Sequence, residues 1–483
     1  MQTGADPYFI AFSAGCDSSR AMPIDIQKLV QAHQGKQFDL FAEYCNPQLV
    51  KVLRTIGFDK DYVKAEGPYL YDAAGDKYLD CLAGYGVFAL GRNHRTIREE
   101  IQKAMNADWP NMVQMDAPLL AGLLAEQLIA KCGGGLEMVF FTNSGAEANE
   151  GAIKFARKAT GKKRILYWDH AFHGLTTGTL ALNGGAEFRK DFGELLPGAT
   201  KIPFNDSDAL EYELKKGDVA AFIFEPIQGK GIYEATTEFL TQAQELCRKH
   251  GALLIADEVQ SGIGRTGKWF AYQHHGIEPD IVTAAKALSG GYIPIGAIIY
   301  KRDIYKRVFR SMEECVVHSN TFGRNTLAMT AGLATLAVME NDKVIENAAK
   351  IGAIIKERFI ALKDRYEMVK DVRGQGLMLA VEFGAPSSLK LKAAWKIVNA
   401  VNKGLFGQMI VVPLMKDHRV LAQVAGHNVT IVKFLPPLIM TESDAQWLTD
   451  AFEKVVENCH KFGGHAWKVG KDLAVNAAKA SRM

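Results

Sequence analysis

The middle of the chain alternates between apolar runs of strand length and segments with the residue spacing of helices. The runs "EMVFFTN", "RILYWD", "VAAFIFEP" and "ALLIADEV" are mostly apolar, and helical stretches such as "SGAEANEGAIKFARKAT" separate them. Strands that are apolar on both faces are typical of a parallel sheet covered by helices. The pattern therefore predicts an α/β unit with a mostly parallel sheet.

The flanking segments predict a second, smaller unit. "GPYLYDAAGDKYLDCLAGYGVFALG" has the pattern of short strands with a turn at "AAGD", and "KDVRGQGLMLAVEF" and "NVTIVKFLPPL" predict strands of an α+β unit. The poorly patterned start of the chain is interpreted as a linker, and the basic end as a solvated helix or a partner-binding tail. We predict an N-terminal linker or extension at 1–40, the N-terminal part of a small domain at 41–110, a large domain at 111–335, a C-terminal small domain at 336–460 and a basic tail at 461–483.

Composition excludes several classes of function. The net charge of +3 over 483 residues gives no case for a nucleic-acid partner. The sequence has no secretory signal and no apolar run of the ~18 residues that a membrane span needs. The seven cysteines form no C-x-x-C pair and favour reduced thiols in a cytoplasmic protein. No H-E-x-x-H sequence or paired Cys/His set is present, so we expect no metal site.

A candidate anion site lies in "FFTNSGAEANEG", where a helix opens directly after a strand. Ser144 and Glu147 form an S-x-x-E capping box, and Gly145 lets a ligand approach the backbone closely. The free N–H groups and the positive end of such a helix suit a phosphate. A helix that is simply well capped has the same pattern, so the motif alone establishes no site.

Asp257 and Lys286 are charged residues in apolar surroundings. Asp257 ends the run "ALLIADEV", and ligands bind at the carboxyl ends of strands in sheets of this class. Its expected partner is a protonated ring nitrogen or a basic side chain, with a structural salt bridge as the alternative. Lys286, in "DIVTAAKALSGG", would have a lowered pKa if buried, and its neutral amine could form a Schiff base with an aldehyde. A lysine that extends to water is the alternative.

The three features become specific in combination. A phosphate-binding helix end, a carboxylate for a pyridinium nitrogen and a Schiff-base lysine are what pyridoxal 5'-phosphate (PLP) requires. The motifs "NSGAEANEGAIKFAR", "FHG", "EPIQG", "ADEVQSGIGRTG" and "DIVTAAKALSGG" occur together over 60–455, and with them the chain resembles the class III aminotransferases. This family includes ornithine, acetylornithine, 4-aminobutyrate and ω-amine transaminases. The resemblance implies a fold type I PLP-dependent transferase, with a mostly parallel seven-stranded sheet, a small α+β domain and a homodimer that shares its active sites.

The same resemblance implies the roles of individual residues. Lys286 is expected to bind the cofactor and transfer the proton, and Asp257 to pair with the pyridinium nitrogen. Phe172 and Val259 are expected on the two faces of the ring, and Thr321 at the phosphate of the neighbouring subunit. The full cofactor-binding set implied is Ser144, Gly145, Ala146, Phe172, His173, Glu225, Asp257, Val259, Gln260, Lys286 and Thr321.

Two departures from the family concern the substrate. Amino-acid-specific members have E-P-x-Q-G-E and R-F-x-P-P, whose Glu and Arg pair and switch between substrates; here Lys230 and Lys433 occupy those positions. A lysine is a point charge and does not replace the bidentate fork of arginine on a carboxylate. A carboxylate clamp supplied elsewhere, for instance by Arg419, is the alternative.

The acceptor predicted from these departures is an aldehyde on an apolar chain. The region around "IQGK" and "VKFLPP" resembles a narrower subset of transaminases, which aminate a lipophilic keto-aldehyde (3-acetyloctanal) in prodigiosin alkylpyrrole biosynthesis and follow an upstream domain. Tyr85 and Phe88, which match a strand on the substrate side, would suit such a chain. Ornithine, acetylornithine, 4-aminobutyrate or putrescine substrates are alternatives, as are decarboxylation and amino migration on the same cofactor.

Overall fold

The computed structural model describes residues 25–473, except 114, 402–403, 427–429, 462 and 465–466, and gives only the backbone for 399–401. The described strands are β1 Tyr62–Glu66, β2 Tyr69–Asp72, β3 Lys77–Asp80, β4 Met138–Thr142, β5 Arg164–Trp168, β6 Ala199–Ile202, β7 Val219–Phe224, β8 Leu253–Asp257, β9 Ile281–Ala284, β10 Gly296–Tyr300, β11 Val369–Gln375, β12 Met378–Phe383, β13 Val420–Leu421, β14 Gln423–Val424 and β15 Ile431–Phe434.

The described helices surround these strands. They are α1 Ile26–His33, α2 Gln37–Tyr44, α3 Pro47–Ile56, α4 Ala83–Gly86, α5 Arg95–Asn106, α6 Leu119–Cys132, α7 Gly145–Thr160, α8 Thr177–Leu180, α9 Ala186–Arg189, α10 Ser207–Leu214, α11 Thr237–His250, α12 Arg302–Val308, α13 Thr326–Asn341, α14 Val344–Arg365, α15 Leu389–Val401, α16 Leu405–His418 and α17 Glu442–His460, with short 3₁₀ turns at Ala271–His274 and Lys286–Ser289.

The largest sheet has seven strands in the order β4-β10-β9-β8-β7-β5-β6. Strand β10 is antiparallel to both of its neighbours, and the pairs among β9, β8, β7, β5 and β6 are parallel. All residues of β7 and β10 are buried, as expected for strands covered by helices on both faces. The prediction of a mostly parallel seven-stranded sheet is confirmed.

Two four-stranded sheets form the smaller part of the molecule. Strands β11, β12, β15 and β14 form an antiparallel sheet, which confirms the predicted α+β character of the C-terminal part. Strand β13 pairs in parallel with β3 and completes the sheet of β1, β2 and β3. The N-terminal strands are therefore joined to a segment more than 300 residues later. The domain boundaries given above remain a prediction.

The structure differs from the sequence interpretation at the start of the chain and after β3. The predicted linker at 1–40 falls partly on residues 1–24, which lie outside the described residues, but its later part forms α1 and the start of α2. "AGYG" at 83–86 is a tight turn and not a strand, because Gly84 and Tyr85 have φ of 62° and 61°. A strand cannot pass through two successive left-handed residues.

Among the described residues, no helix is both long and apolar enough to cross a bilayer. In the described part of the tail, Trp467 donates from Nε1 to the Cys459 carbonyl at 2.9 Å, and Leu473 is buried. Lys468 and Lys471 are exposed. The tail therefore begins packed on the core, with its charges in solvent.

Candidate active site

The predicted residues meet at one edge of the seven-stranded sheet. Because β4 and β9 are each antiparallel to β10, they run in the same direction, and the carboxyl ends of β4, β5, β7, β8 and β9 lie at this edge. Ser144 follows β4, Phe172 follows β5, Glu225 follows β7, Asp257 ends β8, and Lys286 follows β9. Ligands bind at such an edge in α/β proteins.

The Asp257 carboxylate is buried and held by three donors. One oxygen, Oδ2, lies 2.7 Å from His173 Nδ1 and accepts from Asn149 Nδ2 at 2.7 Å. The other, Oδ1, accepts from the Val259 N–H at 3.0 Å. Burial lowers the pKa of His173, but the hydrogen bond and charge of Asp257 outweigh it, and the net pKa is raised. The carboxylate thus has three hydrogen-bond donors and no lysine or arginine partner among the described residues.

Lys286 is the first residue of the 3₁₀ turn Lys286–Ser289. Its ammonium has no hydrogen-bond or ion-pair partner among the described residues, and its backbone has φ of 42°. Burial lowers the pKa of Lys286, against the charges of Asp257 and Glu225, which raise it. A left-handed φ is costly for a residue with a side chain, and active sites are among the places where such strain persists. A lowered pKa increases the fraction of the amine that is neutral and nucleophilic at a given pH.

The N-terminus of α7 lies beside these two residues. Ser144 Oγ accepts from the Glu147 N–H at 3.1 Å, but the Glu147 carboxylate accepts from the Asn143 N–H at 2.8 Å. Only half of the predicted capping box therefore forms, since the return bond goes to the residue before the cap. The N–H groups of Gly145 and Ala146 have no acceptor within the helix. A Cβ on Gly145 would lie 2.6 Å from Val259 Cγ1, so this position excludes a side chain.

The remaining predicted cofactor residues are distributed around this centre. Glu225 is buried and accepts from the N–H groups of Phe172 at 3.0 Å and Gly229 at 2.8 Å. Burial raises the pKa of Glu225, although the charge of His173 lowers it. Gln260 donates to the Tyr85 carbonyl at 3.1 Å, and its buried Oε1 has no partner among the described residues.

Two predicted residues are more exposed. Thr321 is exposed and lies in the irregular segment before α13. Tyr85 is 57% exposed, whereas Phe88 is partly buried: a Cβ on Gly291 would lie 2.5 Å from the Phe88 ring. The turn at Tyr85 is thus followed by a ring that packs against Gly291, five residues after Lys286.

Lys230 and Lys433 have different environments. Lys230 Nζ pairs with Glu187 Oε1 at 2.9 Å and lies 3.8 Å from the centroid of the Phe188 ring. Lys433 is buried on β15 and donates to the Gly229 carbonyl at 2.7 Å. Burial and the Lys286 ammonium lower the pKa of Lys433 to about 7. Lys230 and Lys433 therefore do not pair with each other, and the Glu–Arg pair expected at these two positions has no counterpart here.

Arg419 does not supply the missing clamp. It ends α16 and pairs with Asp76 at 2.7 Å, with about half of each side chain exposed. Asp76 lies in the turn between β2 and β3, which is not one of the segments at the edge of the seven-stranded sheet. The alternative in which Arg419 acts as a carboxylate clamp is therefore not supported.

Comparison with known proteins identifies the family. The sequence model described as aminotransferase class III matches residues 56–456. The chain belongs to the class III aminotransferases. It is 32% identical to the aminotransferase PigE of a Serratia species over 88% of this chain and 54% of PigE, so it spans about half the length of that relative. It is 40% identical to acetylornithine aminotransferase of Bacillus subtilis over 80% of this chain and 92% of that protein.

Solved structures give the same family. Ornithine aminotransferase of Toxoplasma gondii has a TM-score of 0.77 at 26% identity, covering 91% of this chain and 99% of that one. The omega transaminase of Pseudomonas jessenii in complex with PMP has a TM-score of 0.74 at 25% identity, over 83% and 93%. The aminotransferase is accordingly PLP-dependent, as class III members are.

The residues at the sheet edge fit PLP. Gly145 provides a helix end without a Cβ, Asp257 is a buried carboxylate held by His173, and Lys286 is an amine without a hydrogen-bond partner among the described residues. Among the described residues there is no group of three or more His, Cys, Asp and Glu side chains suited to a metal ion. The donor set therefore suits an anionic, aromatic aldehyde.

Sequence reasoning missed two asparagines that orient this aminotransferase site. Asn149 donates to the His173 carbonyl and Asp257 Oδ2, and accepts from Thr283 Oγ1 at 2.8 Å. Asn183 accepts from the His173 N–H at 3.0 Å. Asn149 lies on the buried face of α7, beside Ala148 and Ala152. A polar residue on an apolar helix face was the available signal, because such a residue needs a buried partner.

Proposed function

We propose that this aminotransferase moves an amino group to an aldehyde on a lipophilic chain, such as 3-acetyloctanal in prodigiosin alkylpyrrole biosynthesis. The observation that carries the proposal is the state of the two lysines on the substrate side. Lys230 is neutralised by Glu187, and Lys433 is buried and bound to a backbone carbonyl. A bidentate carboxylate clamp is absent from both positions. The similarity to PigE supports the same substrate class.

Aromatic side chains near the proposed cofactor position support an apolar acceptor. The Phe172 and Phe188 rings pack edge to face with centroids 5.6 Å apart, and Lys230 lies over Phe188. Phe88 packs against Gly291, five residues after Lys286. We propose Tyr85, Phe88, Lys230 and Lys433 as the substrate-binding residues. Apolar contacts of this kind bind a hydrocarbon chain by removing it from water.

We propose the following roles on the cofactor side. PLP, when bound, supplies a carbonyl that reacts with amines and a ring that accepts electrons. Lys286 binds it and moves the proton at its amine, and Asp257 pairs with its ring nitrogen. Ser144, Gly145 and Ala146 hold the phosphate, Phe172 and Val259 contact the ring, and Gln260 donates to the ring oxygen.

His173 and Glu225 act behind these groups. His173 fixes the Asp257 carboxylate at 2.7 Å, and Glu225 fixes the Phe172 N–H at 3.0 Å. The small residues around Lys286 leave room for the ring and exclude water, which lowers the pKa of the amine. His173 and Glu225 thus set the positions of Asp257 and Phe172, which contact the cofactor.

We further propose a homodimer with shared active sites, in which Thr321 reaches the partner's phosphate. Thr321 is exposed, and the same segment exposes large apolar side chains at Met312, Val316 and Phe322. Such a patch suits a protein interface. A cytoplasmic location and an upstream domain in the full-length protein remain predictions.

The acceptor is tested with the amine form of the enzyme, prepared with pyridoxamine 5'-phosphate. We expect 3-acetyloctanal to restore the pyridoxal absorbance in a single turnover, with a second-order rate constant at least tenfold above that of 2-oxoglutarate. A preference for 2-oxoglutarate would exclude the proposal.

Acetylornithine-type chemistry is the second candidate, favoured by the 40% identity to the Bacillus subtilis enzyme. It predicts that N-acetylglutamate 5-semialdehyde reacts faster than 3-acetyloctanal in the same assay. The semialdehyde carries a carboxylate and 3-acetyloctanal carries a hydrocarbon chain in place of it, so their order of reactivity separates the two candidates.

A further inference from the structure

Lys433 lies in the centre of an apolar sheet face. Along β15, side chains alternate between the two faces, so Lys433 shares a face with Ile431 and Leu435. These two residues belong to an apolar cluster with Met378 and Ala380 of β12 and with Ile227 and Ile232 of the loop after β7. The Lys433 side chain therefore extends from an apolar sheet face to the loop after β7, where its amine donates to Gly229.

Most of the hydrogen-bonding capacity of Lys433 is unsatisfied. Its single bond among the described residues goes to the Gly229 carbonyl, and it forms no ion pair there. The nearest carboxylate in the site, Glu225, already accepts from the backbone N–H groups of Phe172 and Gly229. A buried amine with unused N–H groups is expected to have a partner in the working enzyme.

Gln423 provides a second unpaired donor beside it. Gln423 of β14 is directly opposite Lys433 in the antiparallel register, which places both side chains on the same face. Its Nε2 is buried and has no hydrogen-bond partner among the described residues. Two adjacent strands thus present, at opposed positions, the unpaired Nε2 of Gln423 and the unused N–H groups of Lys433.

Lys433 lies beside the residues at the sheet edge. It donates to the carbonyl of Gly229, whose N–H donates to Glu225 at 2.8 Å, and a Cβ on Gly229 would lie 2.8 Å from Gln260 Oε1. The charge of Lys286 also acts on Lys433. An apolar surface with two isolated N–H donors matches a neutral oxygen on a hydrocarbon chain.

We propose that Lys433 and Gln423 bind a ketone oxygen of the acceptor, so that the substrate class is a lipophilic aldehyde with a second carbonyl. The inference rests on the proposed function, since it assumes an aldehyde acceptor. It assigns Lys433 the role of a donor to a neutral oxygen in place of a carboxylate clamp. A substrate that lacks this oxygen leaves Gln423 Nε2 and the remaining N–H groups of Lys433 without an acceptor, and such a loss discriminates strongly against it.

The test compares 3-acetyloctanal with 3-ethyloctanal, which lacks only the ketone oxygen. Single turnovers of the pyridoxamine-loaded enzyme give the apparent dissociation constant and the limiting rate for each aldehyde. We expect the second-order rate constant to favour the ketone at least tenfold, mainly through the dissociation constant. In each of the single variants Lys433→Met and Gln423→Leu, the preference for 3-acetyloctanal should fall below threefold.

Lys356→Met is the matched control, because Lys356 also donates to a glycine carbonyl, that of Gly374 at 2.7 Å, outside the site. It should retain the wild-type preference. Equal reactivity of the two aldehydes in the wild type, or a preference that survives both site substitutions, overturns the inference and leaves the proposed function intact. Failure of both aldehydes overturns the two together.

Discussion

At the scale of single residues, His173 illustrates how the site depends on a group behind the cofactor. Its Nδ1 lies 2.7 Å from the Asp257 carboxylate, and both side chains are buried. His173→Phe removes a charge-assisted hydrogen bond worth about 1.5–3 kcal/mol. We expect kcat/KM for amino transfer to fall about 10- to 100-fold and PLP affinity to fall, measured by absorbance titration. His170→Phe, an exposed position in the same loop, is the control, and equal behaviour of the two variants would contradict this role for His173.

The lowered pKa of Lys433 predicts that the stability of the fold depends on pH. Its pKa is lowered to about 7 in the folded chain, by burial first and then by Lys286, whereas an unfolded lysine titrates near 10.4. Between these values the unfolded state binds one more proton, so the free energy of unfolding rises with pH, by up to about 1.4 kcal/mol per pH unit. Below about pH 7 both states are protonated, and this dependence disappears.

The measurement is urea unfolding at pH 7, 8 and 9 for the wild type and Lys433→Met without cofactor. The wild type should gain stability relative to the variant as pH rises. A difference between the two proteins that stays constant with pH would show that Lys433 titrates as it does in the unfolded chain.

At the scale of elements, the start of α7 has no room for a side chain at Gly145. A Cβ on Gly145 would contact Val259 at 2.6 Å, whereas one on Gly122 in α6 meets nothing within 4 Å. Gly145→Ala should weaken PLP binding at least tenfold in an absorbance titration, and Val259→Ala in the same chain should restore part of it. Gly122→Ala should leave binding unchanged and stabilise the fold by about 0.5–1 kcal/mol. Unchanged PLP affinity in Gly145→Ala would show that the helix end does not hold the cofactor.

Elements were predicted well where one local pattern decides them. The apolar runs and the cap at Ser144 gave β4, α7 and β8, and the rule of strand ends then brought Asp257 and Lys286 together. The turn at Tyr85 was missed because its left-handed backbone depends on contacts from Gln260 and Phe88. Contacts distant in sequence, such as the bond from Lys433 to Gly229, follow from tertiary packing and have no local pattern.

At the scale of the whole molecule, Arg265 joins three distant segments. Its buried guanidinium donates to the carbonyls of Leu377, Pro436 and Gly86, and burial lowers its pKa to about 9. No carboxylate pairs with it among the described residues. Arg265→Ala leaves three carbonyls short of a donor and should cost about 3 kcal/mol or more of unfolding free energy.

Urea unfolding checks this, with Arg302→Ala as the control. Arg302 forms an ion pair with Glu137 in which about half of each side chain is exposed, and its loss should change stability by less than about 1 kcal/mol. Arg265→Lys should not rescue, because one ammonium cannot reach three carbonyls in the geometry of the fork. Full stability of Arg265→Lys would contradict the bridging role.

The central claim is that the substrate side of this aminotransferase accepts a lipophilic aldehyde because it lacks a carboxylate clamp. The most direct test is the ratio of single-turnover rate constants for 3-acetyloctanal and N-acetylglutamate 5-semialdehyde, in the wild type and in Lys433→Arg. We predict a ratio of at least ten in the wild type, and a smaller ratio in the variant, whose arginine fork can bind the carboxylate. A wild-type ratio below one, unchanged in the variant, would contradict the account.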